Sequence, residues 1–308
     1  MAEAKTILYY GVAVTISNRI LDQVKHIITH AYCPDGVMSA LILKKAFPSA
    51  DVSFVKYDSP EHRNLVVREG LIFADFSPHK DRVIEFVEAS AIVLDHHMTQ
   101  EAVVRSFGDL GVYSDDPGVS GAVLAYEAVK DRLDESWRPL ADLAGVRDTW
   151  QTRDPRWMSA CEQANTLLFW PFTELLQHPE YLRDNQVGSV LYANHLRKAQ
   201  DAVDNWFKAT IGGVRVLLFE GTSRASDTAE LAGTDFDLIV GFSYVIQEGV
   251  PKIGYSTRSH TNFDCAAFCK AQGGGGHRLA AGFRANASGD PFTQFTCILE
   301  DYLKMGER

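Results

Sequence analysis

Two short runs without a polar residue, Leu71-Ile72-Phe73-Ala74 and Ala91-Ile92-Val93-Leu94, each stop at side chains that are costly to bury: Asp75 in the first case, Asp95-His96-His97 in the second. Apolar runs of this length, bounded by polar turns, read as strands. A carboxylate and two imidazoles directly behind such a run have no core-packing use, because each needs a partner once it leaves water. Metal binding is the natural use.

The flanking sequence repeats the pattern. Residues 25–29 read as a strand that ends in His30-Ala31-Tyr32-Cys33-Pro34-Asp35-Gly36, and residues 37–47 as the helix that follows, with Pro34 and Gly36 punctuating the turn. Residues 51–57 alternate as a second strand, residues 61–69 read as a helix, and Pro78 opens another helix reaching residue 88. Strand and helix in alternation are the signature of an α/β fold with an open parallel sheet and helices on both faces, whose ligand crevice lies beyond the carboxyl ends of the strands. His30, Asp35, Asp75, Asp95 and His96 all fall at such ends.

Beyond Ser120 the pattern turns helical, over residues 121–132, 135–147 and 157–170, and Asp148-Thr149-Trp150 stands where the second of these runs out, able to return to the crevice. Ser120-Gly121-Ala122 has the form of a helix start and therefore of a phosphate neighbour. Residues 187–208 repeat apolar positions every three or four in a mainly polar stretch, the mark of a helix joining two domains. We therefore expect a first domain over residues 1–185, a linker helix over 186–209, and a smaller α/β domain over 210–308. The latter has strands at residues 214–219, 238–246 and 252–257, a helix at 263–271, and then Gln272-Gly-Gly-Gly-Gly-His277-Arg278-Leu-Ala-Ala-Gly-Phe283.

Composition narrows the function. A formal net charge of −10 argues against a broad basic surface gripping a long polyanion, and leaves a short anionic substrate neutralised locally by metal ions. The five cysteines are scattered without a Cys-x-x-Cys pair, which disfavours a disulfide framework or zinc ribbon. Residues 1–10 lack the pattern of a secretory signal and no stretch is long and apolar enough to span a bilayer, so a soluble, cytoplasmic protein with no membrane partner is expected. A homodimer is left open.

Asp and His donors without Cys partners suit manganese, magnesium or iron better than structural zinc. An Asp bridging two ions, with His and Asp to either side, makes a two-metal site that activates water and clamps phosphoryl oxygens, so that phosphate-ester hydrolysis follows. In the second domain, successive glycines at Gly274, Gly275 and Gly276 let backbone N–H groups approach an anion, and His277 and Arg278 add hydrogen bonds and charge. Core packing is the default for Trp150, Trp157 and Trp170, as it is for Cys265 and Cys269.

Taken in order, His30-Ala31-Tyr32-Cys33-Pro34-Asp35-Gly36, Ala74-Asp75-Phe76-Ser77, Leu94-Asp95-His96-His97, Arg147-Asp148-Thr149-Trp150 and the glycine-rich segment through His277 resemble the motifs of the DHH phosphoesterase superfamily with its associated C-terminal domain. The resemblance spans roughly residues 25–285, and any one motif alone is weak. It implies a manganese-dependent hydrolase of short oligonucleotides or small nucleotides, with magnesium or another divalent ion as the alternative. Asp75 would bridge two ions, His30 would bind the first, and Asp35, His96 and Asp148 the second. His97 would face the substrate phosphate and Asp95 would orient a histidine. Arg258 and the glycine-rich segment would hold a terminal phosphate or base. Many members carry a carboxylate where this chain has Cys33, which leaves that ligand in doubt. The competing readings are a single-strand exonuclease and a catalytically silent nucleotide sensor.

Overall fold

The computed structural model describes residues 14, 16–116, 118–221, 224–247 and 249–306, so the expectation for residues 1–10 lies outside the described residues. The chain divides into two compact units, Met1–Leu191 and Tyr192–Arg308.

In the first unit the apolar runs become strands β1 (His26–His30), β2 (Asp51–Val55), β3 (Leu71–Ala74), β4 (Ile92–Asp95) and β5 (Gly111–Tyr113), all parallel, in the order β2-β1-β3-β4-β5. Side chains alternate across a strand, so each strand feeds two cores. Ile27, Ile72 and Ile92 pack on one face against Met38, Leu41 and Val123, whereas Ile28, Phe73 and Val93 pack on the other against Phe86, Val104 and Phe107. Burying each such side chain contributes about 1.5–3 kcal/mol, which is why β3 carries no polar residue and β4 none before its last, Asp95. The strand order reverses direction between β1 and β3, and a crevice opens at the carboxyl ends where neighbouring connections diverge to opposite faces. His30 ends β1 and Asp75 follows β3 at that point.

The helix Pro34–Ala46 starts earlier than residue 37, because Pro34 takes the first helical position behind extended Cys33 and draws Asp35 into the first turn. The helix expected over residues 61–69 is cut to Pro60–Arg63: Asn64 closes it, its backbone N–H and side-chain amide both donating to the Pro60 carbonyl. β5 is an addition to the expected strands; its three half-buried residues carry no apolar run.

In the second unit β6 (Phe207–Ile211), β7 (Val214–Glu220), β8 (Leu238–Gln247), β9 (Val250–Arg258), β10 (Gly275–His277) and β11 (Ala280–Asn286) form a sheet in the order β10-β11-β9-β8-β7-β6. Only β7 and β8 run parallel among these pairs, joined by the helix Ala225–Ala232, as a parallel connection requires. The helices Cys265–Ala271 and Pro291–Gly306 supply Phe268, Phe295 and Leu299 to a core with Val240, Tyr255 and Phe283. The helix Gln186–Asn205 crosses the division between the units and stops short of residues 207 and 208, which pair with β7 instead. Among the described residues no helix is long and apolar enough to cross a membrane.

Candidate metal centre

Seven polar side chains converge beyond the carboxyl ends of β1, β3 and β4. His30 comes from the end of β1, Asp35 from the first helical turn after it, Asp75 from the residue after β3, and Asp95, His96 and His97 from the end of β4. Asp148 ends the helix Arg138–Asp148. Asp75 takes a left-handed backbone (φ 53°) with its N–H bonded to the Leu94 carbonyl at 2.9 Å, so β4 holds the turn that aims its carboxylate. Such backbone strain in a non-glycine residue persists where the surroundings over-determine it.

The ligand atoms fall into two groups, His30, Asp75 and His97 in one and Asp35, His96 and Asp148 in the other, with the atoms of each group within 4.8 Å of one another. Asp75 faces both. Its Oδ2 lies 3.7 Å from His30 Nδ1 and its Oδ1 3.4 Å from His96 Nε2. His96 Nε2 is in turn 3.2 Å from Asp148 Oδ2 and 3.9 Å from Asp35 Oδ2. Both oxygens of fully buried Asp75, Oδ2 of Asp35 and Nδ1 of His30 meet no hydrogen bond within the protein. Buried carboxylates left in this way are strongly unfavourable unless a cation satisfies them, and oxygen plus imidazole donors at this spacing fit a pair of divalent ions.

The electrostatics say the same. Burial, then the Asp75 and Asp148 carboxylates, push the Asp35 carboxyl well above its ordinary range. Burial acts to raise Asp75 as well, but the imidazoles of His30, His96 and His97 outweigh it and hold this carboxyl below its usual range. Burial disfavours charge on His97, yet Asp95 and Asp75 prevail and its imidazole is pushed up to about 9. Burial likewise opposes charge on His96, and Asp148 and Asp75 overcome it. Protons on these two histidines thus offset the crowded carboxylates, and a cation that replaces them must displace those protons.

Asp95 is built differently, with both oxygens bonded. Its Oδ1 accepts from the backbone N–H of His97 at 3.1 Å and from His97 Nδ1 at 2.7 Å, while its Oδ2 accepts from Ser77 Oγ at 2.6 Å and from the Tyr57 hydroxyl at 2.9 Å. The contact of Nδ1 with Asp95 fixes the His97 ring, the support that histidines at metal sites ordinarily have. The Tyr57 hydroxyl also accepts from the Ser77 N–H at 3.0 Å, and His62 Nε2 lies 2.9 Å from the Ser77 carbonyl. His62 Nδ1 accepts from the Asp58 N–H at 3.1 Å, so the two contacts fix its tautomer with the proton on Nε2.

Asp35 has its own support. Its Oδ1 accepts from Ser120 Oγ at 2.7 Å and from the Ala122 N–H at 3.1 Å, so the start of the helix Gly121–Val129 binds a ligand carboxylate. A Cβ at Gly121 would sit 2.4 Å from Asp75 Cβ and 2.9 Å from Asp35 Oδ2, so only glycine lets this helix lie against both. The sequence marks this helix start as a phosphate neighbour; the structure gives it to Asp35 instead. Tyr57 and Ser77 have no role assigned from sequence. Ser77 stands two residues past Asp75 and Tyr57 two past β2, so the rule that polar residues at strand ends matter would reach both.

Cys33 belongs to neither ligand group. Its Sγ lies 3.9 Å from Asp148 Oδ1 as donor, and burial together with Asp75, Asp148 and Asp35 pushes the thiol well above its ordinary range. The remaining sequence candidates are in the second unit. Arg258 Nε donates to Ser226 Oγ at 3.0 Å, and Ala280 pairs with both Arg258 and His277, which sets the arginine beside the hairpin of β10 and β11. Gly274 and Gly276 pack too closely on β11 for any side chain, with a Cβ 2.2 Å from the Gly282 carbonyl oxygen and 2.6 Å from Ala281 Cα respectively. Gly275 is open, and His277 and Arg278 are exposed.

No family model and no curated protein sequence matches the chain. Solved structures do. A pGpG-specific phosphodiesterase, PggH, from Vibrio cholerae superposes with a TM-score of 0.57 at 15% identity, over 90% of this chain and 98% of that one. An exopolyphosphatase-related protein from Bacteroides fragilis gives 0.52 at 15%, over 93% and 94%. RecJ from Thermus thermophilus in complex with Mn2+ gives 0.52 at 17%, over 92% of this chain but 53% of RecJ. At such identities the likeness is one of fold, and this chain spans about half of RecJ. The chain shares the fold of these structures, and the five motifs that carry its resemblance to the DHH phosphoesterase superfamily stand in order along it.

Proposed function

We propose that this protein is a manganese-dependent phosphodiesterase that hydrolyses short oligonucleotides or small nucleotides to mononucleotides. The observation that carries the reading is Asp75: a fully buried carboxylate, unbonded at both oxygens, that belongs to one triad of ligand atoms and lies 3.4 Å from His96 of the other. Two divalent ions held there would lower the pKa of water and neutralise charge on a phosphoryl group. His30, Asp75 and His97 would hold one ion, and Asp35, His96 and Asp148 the other. Asp95 fixes the ring of His97, which would help to hold the ion or, when protonated, donate to developing negative charge on a phosphoryl group. Tyr57 and Ser77 keep Asp95 in place. In the second unit Arg258, His277 and Arg278 supply cationic and donor groups for the terminal phosphate or base.

The superposing structures include a phosphodiesterase and a RecJ in complex with Mn2+, which agrees with both halves of the reading. A net charge of −10 favours a short substrate over processive work on a long strand. The test is incubation of the purified chain with a dinucleotide panel and Mn2+, products resolved by chromatography. Mononucleotide release that stops on chelation and returns on adding Mn2+ is expected; intact dinucleotides in every divalent metal would end the proposal.

A further inference from the structure

Directly after the ligand His30 the chain passes from the metal centre to the wall of a cavity of about 690 Å³ in the first unit, which Ala31 and Tyr32 help to line. Phe54, Trp170, Phe172 and Lys56 line it as well. Tyr32 is two residues from His30, so their Cα atoms are at most roughly 7.6 Å apart. Its backbone is left-handed (φ 61°) and the residue is 87% exposed, an unfavourable combination for a bulky aromatic that core packing does not explain. Phe54, 37% exposed on edge strand β2, meets Phe172 edge to face at 5.2 Å. The volume lies within the range of small-ligand sites.

We propose that this cavity is a nucleobase subsite: it receives the base of a nucleotide whose phosphate lies at the metal centre, with Tyr32 as the stacking face. The inference rests on the phosphodiesterase reading for the position of the phosphate. A base requires a flat aromatic face and no fixed donor pattern, and stacking is tolerant of sequence because every base has a π-face. Lys56 and Glu61 both line the cavity, so its formal charges balance, which suits a neutral base there and leaves the phosphate to the metal centre. A lipid or apolar peptide would gain from the aromatic wall but would leave the neighbouring cluster of carboxylates and imidazoles without a use. A phosphate position and a base position are thus joined by the single short turn that follows β1.

Calorimetric titration of the full chain in Mn2+ with adenosine and guanosine monophosphates, each compared with ribose 5-phosphate, reads the base contribution directly. The wild type is expected to bind the nucleotides at least about tenfold more tightly than the sugar phosphate. Tyr32→Ala and, separately, Phe54→Ala should each remove most of that preference, while Tyr32→Phe keeps it. Equal weakening of nucleotide and sugar phosphate, or no change in the preference, would overturn the subsite. Dinucleotide turnover on the same preparations separates the two proposals. Absent turnover with a Tyr32-dependent base preference sinks the hydrolase and leaves the subsite; turnover with no such preference does the reverse.

Discussion

The two regions that the sequence marks for function are built on opposite plans. In the first unit the ligands stand behind strands buried on both faces, Asp35, Asp75 and Asp95 are enclosed, and each is reached by groups from other elements. In the second unit His277 and Arg278 project from a short hairpin at the sheet edge, where glycines bring the backbones together and the side chains remain in solvent. A cluster of like charges must be held against its own repulsion, which only a rigid surround can do; an edge that would meet an anion in the proposed reading has no such demand and can adapt. Damage in the first region should therefore remove chemistry, and damage in the second should weaken binding.

The sharpest break is Asp75→Ala. With the shared carboxylate gone, turnover should fall by about a thousandfold or more, the loss of several kcal/mol of transition-state stabilisation. The variant should keep its far-ultraviolet circular dichroism, and Mn2+ should raise the melting temperature of the wild type but not of the variant. A variant still stabilised by Mn2+ and still active would remove Asp75 from the centre of the reading.

A matched pair of glycine substitutions tests the contrast directly. Gly121→Ala drives a methyl group into Asp75 and Asp35, so it should cost about 1–3 kcal/mol of stability by overpacking and lower Mn2+ affinity and kcat together. Gly276→Ala, in a hairpin with φ 137° and a neighbouring Cα 2.6 Å from the added carbon, should distort the edge and raise KM while Mn2+ affinity stays at the wild-type value. Reciprocal effects would dismiss the division of labour. Metal titration by calorimetry and steady-state kinetics on both variants give the comparison.

The fold of the first unit is legible in the sequence because burial on two faces leaves a strand no choice of residue: Leu71–Ala74 and Ile92–Asp95 announce themselves, and so does the position of Asp75 behind them. Strands with half-exposed faces, such as Gly111–Tyr113, carry no such mark. The helix expected at residues 61–69 fails because periodicity does not record a side-chain amide closing the first turn at Asn64. Among the site residues, ligands are legible as residue types that have no other use at a strand end. Their supports are not, since a tyrosine or serine is unremarkable until the sheet order β2-β1-β3-β4 puts Tyr57, Ser77 and Asp95 together.

Those supports give the next effect in size. Tyr57→Phe and Ser77→Ala each remove one of the two donors to Asp95 Oδ2, loosening the carboxylate that fixes His97. Loss of such a support typically costs about 10–100-fold in activity or metal affinity. Because the two donors share one acceptor, the double variant should lose less than the product of the single losses, a coupling that a purely structural defect at either site would not produce.

The smallest effect is expected at Arg258, and it bears most directly on how the two regions differ. Its guanidinium already donates to Ser226 Oγ and to the Thr257 carbonyl, so part of its donor set is spent on holding its place beside the β10 hairpin. Arg258→Lys keeps the charge but has no planar fork to satisfy both a protein anchor and an anion, so KM for a dinucleotide should rise about tenfold with kcat held near the wild-type value. Mn2+ affinity should not move. A fall in kcat at unchanged KM would instead tie this arginine to the transition state and draw the second unit into the chemistry that the first has been assigned.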